Sequence, residues 1–142
     1  MRVGILPNLD KRGSAEVVEK LSDIFKNEGI EAFLPENISV GDFKRLPENE
    51  LYKTADLIIT IGGDGTIIRY AKRAAYDNKP VLGINAGRVG YLANIEQNEL
   101  SLLSKLKSGE YFVEKRMMLS VSVCENGKTI GEYNALNDAV IT

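Results

Sequence analysis

The stretch Asp56-Leu57-Ile58-Ile59-Thr60-Ile61 runs straight into Gly62-Gly63-Asp64-Gly65-Thr66. Apolar on alternate and intervening positions alike and rich in β-branched residues, the first part suits a strand covered on both faces, as in the middle of a parallel sheet. The run Ile67 to Asn78 then has good helix formers and stops before Pro80, and Val81 to Ile84 reads as the next buried strand. Strand, helix and strand in that order call for right-handed crossovers that lay helices over a largely parallel sheet.

The rest of the first hundred residues fits the same plan. Met1 to Leu6 is an apolar run closed by Pro7-Asn8, and Ser14 precedes Val17, Val18, Leu21, Ile24 and Phe25 at helical spacing, with Gly29 as the stop. Ile30 to Leu34 is the second strand. The region onward to Glu50 holds Pro35, Gly41 and Pro47 without sustained periodicity and reads as a loop-rich connection.

From Lys115 the pattern changes. Met117, Leu119, Val121 and Val123 alternate with Met118, Ser120, Ser122 and Cys124, and Asn126-Gly127 signals a tight hairpin whose second strand is Thr129 to Tyr133. Asn137 to Thr142 reads as the start of a further strand. The expectation is an α/β domain over residues 1–114 and the start of a truncated, β-rich second domain over residues 115–142.

Composition narrows the chemistry. The 142 residues are 44% hydrophobic and 27% charged, enough for a packed core, and the formal net charge of −2 offers no general attraction for nucleic acid or an anionic membrane. With no histidine and one cysteine, Cys124, the usual zinc-ligand sets, His-based triads and internal disulfides are excluded. Catalysis in such a chain runs on carboxylates, Arg or Lys side chains and backbone. No window reaches the roughly 18 consecutive apolar residues that span a bilayer, and the expected location is cytoplasmic.

Gly62-Gly63-Asp64-Gly65-Thr66 sits where a strand end meets a helix start, and backbone N–H groups with a positive dipole at such a place favour phosphate. The glycines let phosphate oxygens approach the amides, and Thr66 is suited to cap the helix. Asp64 needs a separate reason, because a carboxylate in a phosphate cradle repels its ligand unless it holds a metal or accepts a proton. An ordinary helix N-cap is the bland alternative.

The glycine-aspartate string resembles the GGDGT kinases, a group that includes NAD kinases and diacylglycerol and sphingosine kinases. Gly83-Ile84-Asn85-Ala86-Gly87-Arg88-Val89-Gly90-Tyr91-Leu92 is similar to the GIN-x-G-x-LGFL segment of NAD kinases, and Asn137-Asp138 resembles their acidic motif. Three motifs in the family's order identify the chain as resembling the N-terminal part of an NAD kinase. The departures are Val89 for leucine, Tyr91 for phenylalanine and Asp138 for glutamate.

The resemblance implies a Rossmann-like open sheet with helices on both faces, followed by the start of a β-rich dinucleotide-binding domain. It implies transfer of the γ-phosphate of ATP, or of phosphate from polyphosphate, to the 2′-hydroxyl of the adenosine ribose of NAD. Mg²⁺ or another divalent cation would be held mainly through the phosphates of ATP. Asp64 would accept the hydroxyl proton, a weak base sufficing because phosphoryl transfer has a loose transition state. Gly62, Gly63, Gly65 and Thr66 would line the triphosphate and ribose, while Asn137 and Asp138 would read the dinucleotide. Arg69, one turn into the helix, would reach a phosphate of NAD, against the alternative of a solvated helix face. Tyr91 is either an adenine platform or a core plug, Arg88 a phosphate contact or a surface ion pair, and Arg116 a structural salt bridge. Family members assemble as homo-oligomers, and neither nucleic acid nor membrane is an expected partner. The alternatives are another GGDGT-type kinase acting on a lipid, or a catalytically incomplete nucleotide-binding module; the isolated chain is expected to be inactive.

Overall fold

Alternate residues of a strand face opposite sides, so a strand apolar at every position needs a cover on each face. The computed structural model describes residues 1–87, 90–136, 138 and 140. It divides into two units, Met1–Phe112 and Val113–Thr142. The first contains strands β1 (Arg2–Pro7), β2 (Glu31–Pro35), β3 (Lys44–Leu46), β4 (Leu57–Gly62) and β5 (Val81–Asn85). They form one sheet in the order β3-β2-β1-β4-β5, and every pairing is parallel.

Helices α1 (Ser14–Glu28), α2 (Glu48–Thr54), α3 (Asp64–Tyr76) and α4 (Lys105–Ser108) accompany the sheet, the last preceded by a 3₁₀ helix at Gln97–Ser104. One face carries Val3, Ile5, Ile59, Ile61 and Ile84 against Val17, Val18, Leu21 and Phe25 of α1 and against Leu100, Leu103 and Leu106. The opposite face carries Leu6, Phe33 and Ile58 against Leu51 and Tyr52 of α2, Ala55, and Ala74 of α3. Each such large apolar side chain contributes roughly 1.5–3 kcal/mol when removed from water, and Ile58 and Ile59 place adjacent residues of β4 in the two separate cores.

Helix α1 starts and stops on glycines with left-handed backbones, Gly13 at φ 89° and Gly29 at φ 65°. Ser14 is therefore the buried first residue of the helix and not its cap.

The region expected to be loop-rich holds two short elements. Strand β3 is only three residues long and none of them is buried, so it has no apolar pattern and joins the sheet through its backbone pairing with β2. Helix α2 has seven residues and begins after Pro47, whose φ of −53° suits a helix entrance. The loop between β2 and β3 is organised from within by Arg45. Its guanidinium donates to the carbonyl oxygens of Ile38 at 2.6 Å, Gly41 at 2.9 Å, Val40 at 3.2 Å and also Phe43.

The second unit contains the antiparallel hairpin β6 (Leu119–Glu125) and β7 (Lys128–Ala135). Asn126 at φ 50° and Gly127 at φ 76° give the two positive angles of a tight hairpin turn. Leu119 faces Ala135 and Val121 faces Tyr133, which gathers the apolar side chains on one face of the ribbon. Of the strand expected at Asn137 to Thr142, residues 137, 139, 141 and 142 lie outside the described residues; Asp138 and Val140 are exposed and outside any strand. Among the described residues no helix is long and apolar enough to cross a membrane.

Candidate functional site

The strand order creates a point where connections diverge. From β1 the chain passes through α1 to β2 on one side, and from β4 it passes through α3 to β5 on the other. Side chains beyond the carboxyl ends of β1 and β4 are thereby left with a crevice between them. A cleft of about 350 Å³ lies there, lined by Pro7, Asn8, Leu9 and Asp10 after β1, Asn37 and Ile38 after β2, and Gly65, Thr66, Arg69 and Tyr70 of α3.

The floor of the cleft is the start of α3. Gly63 is the N-cap residue and no side chain caps the helix, so its first amides remain available to an anion. Thr66 is not the cap its position in the sequence suggested. It lies inside the first turn with 6% exposure, its own amide bonded to the Gly63 carbonyl at 2.9 Å. The Thr66 hydroxyl instead accepts from the Asn8 side-chain amide at 3.3 Å, joining the β1 and β4 ends across the crevice. Gly62 allows this packing, since a Cβ there would overlap Thr66 Oγ1.

Asp64 is the first residue of α3 and half-buried. It does not cap the helix either. Its two oxygens accept separate main-chain N–H groups, Oδ2 from Tyr91 and Oδ1 from Leu92, each at 3.0 Å. That loop is stitched to β5: Asn94 N–H and Ile95 N–H donate to the Gly83 carbonyl at 2.9 and 3.1 Å, and Asn85 N–H donates to the Ile95 carbonyl at 2.9 Å. Buried Asn85 adds a side-chain latch, donating from Nδ2 to both Glu96 oxygens at 3.2 and 3.0 Å and accepting Gly87 N–H on Oδ1 at 3.1 Å.

Arg69 is exposed on the cleft wall, its Cζ 5.4 Å from the centroid of the Tyr70 ring. Among the described residues it has no carboxylate within ion-pair distance. Burial outweighs the Arg69 charge at Tyr70 and raises the phenol above its ordinary pKa. Tyr91 is 99% exposed, so it is no core plug. Arg116 makes an exposed ion pair with Glu114 at 3.0 Å. The structure thus brings Gly65, Thr66 and Arg69 into one cleft, with Gly62, Gly63 and Asp64 directly before them in the chain. Asp138 is an exposed residue of the second unit, and Asn137, Arg88 and Val89 lie outside the described residues.

Residues 3–111 match the model of the ATP-NAD kinase N-terminal domain. The chain belongs to the ATP-NAD kinase family. It is similar to the NAD kinase of Caldanaerobacter subterraneus subsp. tengcongensis, with 38% identity over 145 residues that cover 99% of this chain and 51% of that protein. It is likewise similar to the NAD kinase of Natranaerobius thermophilus, with 36% identity over 143 residues, covering 98% of this chain and 50% of that one. The chain spans about half the length of the curated relatives it matches. Its fold is similar to that of yeast NADH kinase complexed with NADH, at a TM-score of 0.79 and 17% identity, covering 96% of this chain and 47% of the other.

Within this ATP-NAD kinase domain, two contributors to the site went unread in the sequence and a third was read only as part of a motif. Asn8 carries a signal only in hindsight, as the polar residue that closes β1 beside the switch point. Asn85 was noticed as part of a motif, but its partner Glu96 is 11 residues away and has no sequence pattern linking the two. The amides of Tyr91 and Leu92 belong to the main chain, which no side-chain motif reports.

Proposed function

We propose that the protein is an NAD kinase that transfers the γ-phosphate of ATP to the 2′-hydroxyl of the adenosine ribose of NAD, giving NADP. The observation that carries this reading is the Asp64 carboxylate, held by two amides at the uncapped start of α3 and next in sequence to the residues that line the switch-point cleft. Family membership supports it, since relatives that match nearly the whole chain are named NAD kinase.

In this reaction the ribose oxygen forms a bond to the γ-phosphorus, the bond from that phosphorus to the β–γ bridging oxygen breaks, and ADP leaves. The hydroxyl proton passes to Asp64 and from there to solvent. Each carboxylate oxygen already accepts one N–H, yet a carboxylate has about four acceptor positions in all, so a substrate hydroxyl can still be received. The α3 amides and Arg69 offset charge on the phosphates, with Gly62, Gly63, Gly65 and Thr66 giving the close approach. Asn137 and Asp138 serve the dinucleotide.

A divalent cation suits the donor chemistry of the cleft. Asp10 and Asn37, among the lining residues, carry side-chain oxygens, the hard ligands Mg²⁺ prefers, while the Asn8 oxygen already accepts the Asp10 N–H at 3.2 Å; Mg²⁺ commonly takes only one or two protein ligands alongside phosphate. Among the described residues no three His, Cys, Asp or Glu side chains gather as a metal cage. When bound, such an ion would neutralise charge on the transferring group.

The test is to incubate the full-length protein with Mg²⁺, labelled ATP or polyphosphate, and NAD, NADH or diacylglycerol. Label is expected in the dinucleotide, and Asp64→Asn should lower kcat by about 10²–10⁴-fold while largely sparing NAD binding. Label in lipid alone would overturn the reading.

A further inference from the structure

Two successive main-chain amides are spent on one side chain, and only proline, which also restricts the backbone, would remove either by substitution of the residue that bears it. The residue before them offers the handle. A Cβ on Gly90 would collide with Asp64 Oδ1, with the carboxylate carbon only 3.2 Å away. Gly90 and Leu92 are half-buried beside the carboxylate, and only Tyr91 between them is exposed. The loop's downstream end is already fixed by the Gly83, Asn85 and Glu96 bonds, and Gly83 N–H also donates to Asn94 Oδ1 at 3.1 Å. At Gly83 a Cβ would meet Ala93 Cα at 3.2 Å, so strand and loop lie backbone to backbone.

We propose that Gly90 is a positioning residue for phosphoryl transfer: lacking a side chain, it lets the Tyr91 and Leu92 amides close on Asp64 and hold its carboxylate in one orientation toward the ribose hydroxyl. The proposal rests on the reading of Asp64 as proton acceptor. Rotating that carboxylate breaks both bonds at once, because the amides engage different oxygens. A preset acceptor matters in this chemistry, where a displacement of about 1 Å can cost 10²-fold in rate. A methyl at residue 90 has two ways to fit, by turning the carboxylate or by lifting the loop, and both separate Asp64 from the amides.

Steady-state kinetics of the full-length Gly90→Ala and Asp64→Asn variants, with amide NMR of Gly90→Ala and Asp64→Ala, test this. Gly90→Ala is expected to lower kcat by about 10²-fold with both KM values and the thermal midpoint held, the signature of an interaction needed in the transition state. The Tyr91 and Leu92 amide resonances should move upfield in Gly90→Ala and in Asp64→Ala, because a charge-assisted acceptor is lost. A Gly90→Ala enzyme with wild-type kcat beside an inactive Asp64→Asn enzyme would overturn the positioning role alone. So would a joint fall in kcat, substrate affinity and melting temperature, which marks a general loop defect. If Gly90→Ala does not fold, unmoved amides in Asp64→Ala overturn the clamp. Full activity in Asp64→Asn would remove the proton acceptor and the proposal with it.

Discussion

Tyr52 lies in the core between α2 and the sheet, fully buried, and its hydroxyl has no hydrogen-bond partner among the described residues. Leaving a buried hydroxyl unsatisfied costs about 1–3 kcal/mol. Tyr52→Phe removes that oxygen, keeps the ring, and retains the Arg73 guanidinium 5.6 Å from the ring centroid. The vacancy left by one atom costs well under about 1 kcal/mol, so the variant should be more stable by roughly 1 kcal/mol near neutral pH, or about 3 °C in Tm for a domain of this size. The alkaline limb gives a second reading of the same atom. Burial, followed by the charge of Glu48, raises the Tyr52 phenol above its ordinary value. The raised folded value means that the contribution of the protonated phenol is complete below the unfolded value near 10 and is lost as pH climbs from there toward the folded one. In that window the unfolded chain binds fewer protons, so wild-type stability falls by up to about 1.4 kcal/mol per pH unit from this group. The phenylalanine variant, with no proton to lose at this position, has no such slope. Urea melts of both proteins from about pH 7 to 11 should show an initial advantage for the variant that widens above about pH 10. A variant that is less stable at neutral pH would show that the hydroxyl is satisfied, and an advantage that stays flat into the alkaline range would show that the phenolate is solvated in the fold; either result refutes the reasoning.

Arg69→Gln should raise KM for the phosphate-bearing substrates by about 10–100-fold, the scale of a charged hydrogen bond, without moving the melting temperature; unchanged KM values in steady-state assays would return Arg69 to a solvated helix face. Ile59→Ala, at a fully buried site in the middle of β4, should lose about 2–5 kcal/mol in urea unfolding, and a loss below that range would mean the core closes over the cavity.

What could be read beforehand follows from how each element is stabilised. Strand β4 buries a continuous apolar run and helix α1 a periodic one, so their patterns are printed in the chain, and Asn126-Gly127 marks its turn by backbone conformation alone. Strand β3 is held by main-chain pairing to β2 and helix α2 by only one apolar face over seven residues, too short for periodicity to emerge among Pro35, Gly41 and Pro47. The 3₁₀ helix at Gln97–Ser104 has its own geometry, which a 3.6-residue period does not find. At the site, the glycine string marked the helix start, but capping reasoning misassigned Thr66. It is a packed bridge to Asn8, a contact between residues 58 apart that depends on β1 and β4 being neighbours.

The grip of Arg45 on the β2–β3 loop has a consequence for sequence change. Every acceptor it uses in that loop is a backbone carbonyl, and carbonyls survive any substitution. The Arg45 contribution to fastening the wall formed by Asn37 and Ile38 is therefore independent of side-chain identity, whereas Ile38, Val40 and Phe43 add packing against the core that is not. Evolution can rewrite the rim position Asn37, and alter what it presents to a ligand, while Gly41, at φ 74°, and the core-packed Ile38, Val40 and Phe43 keep the frame where it is.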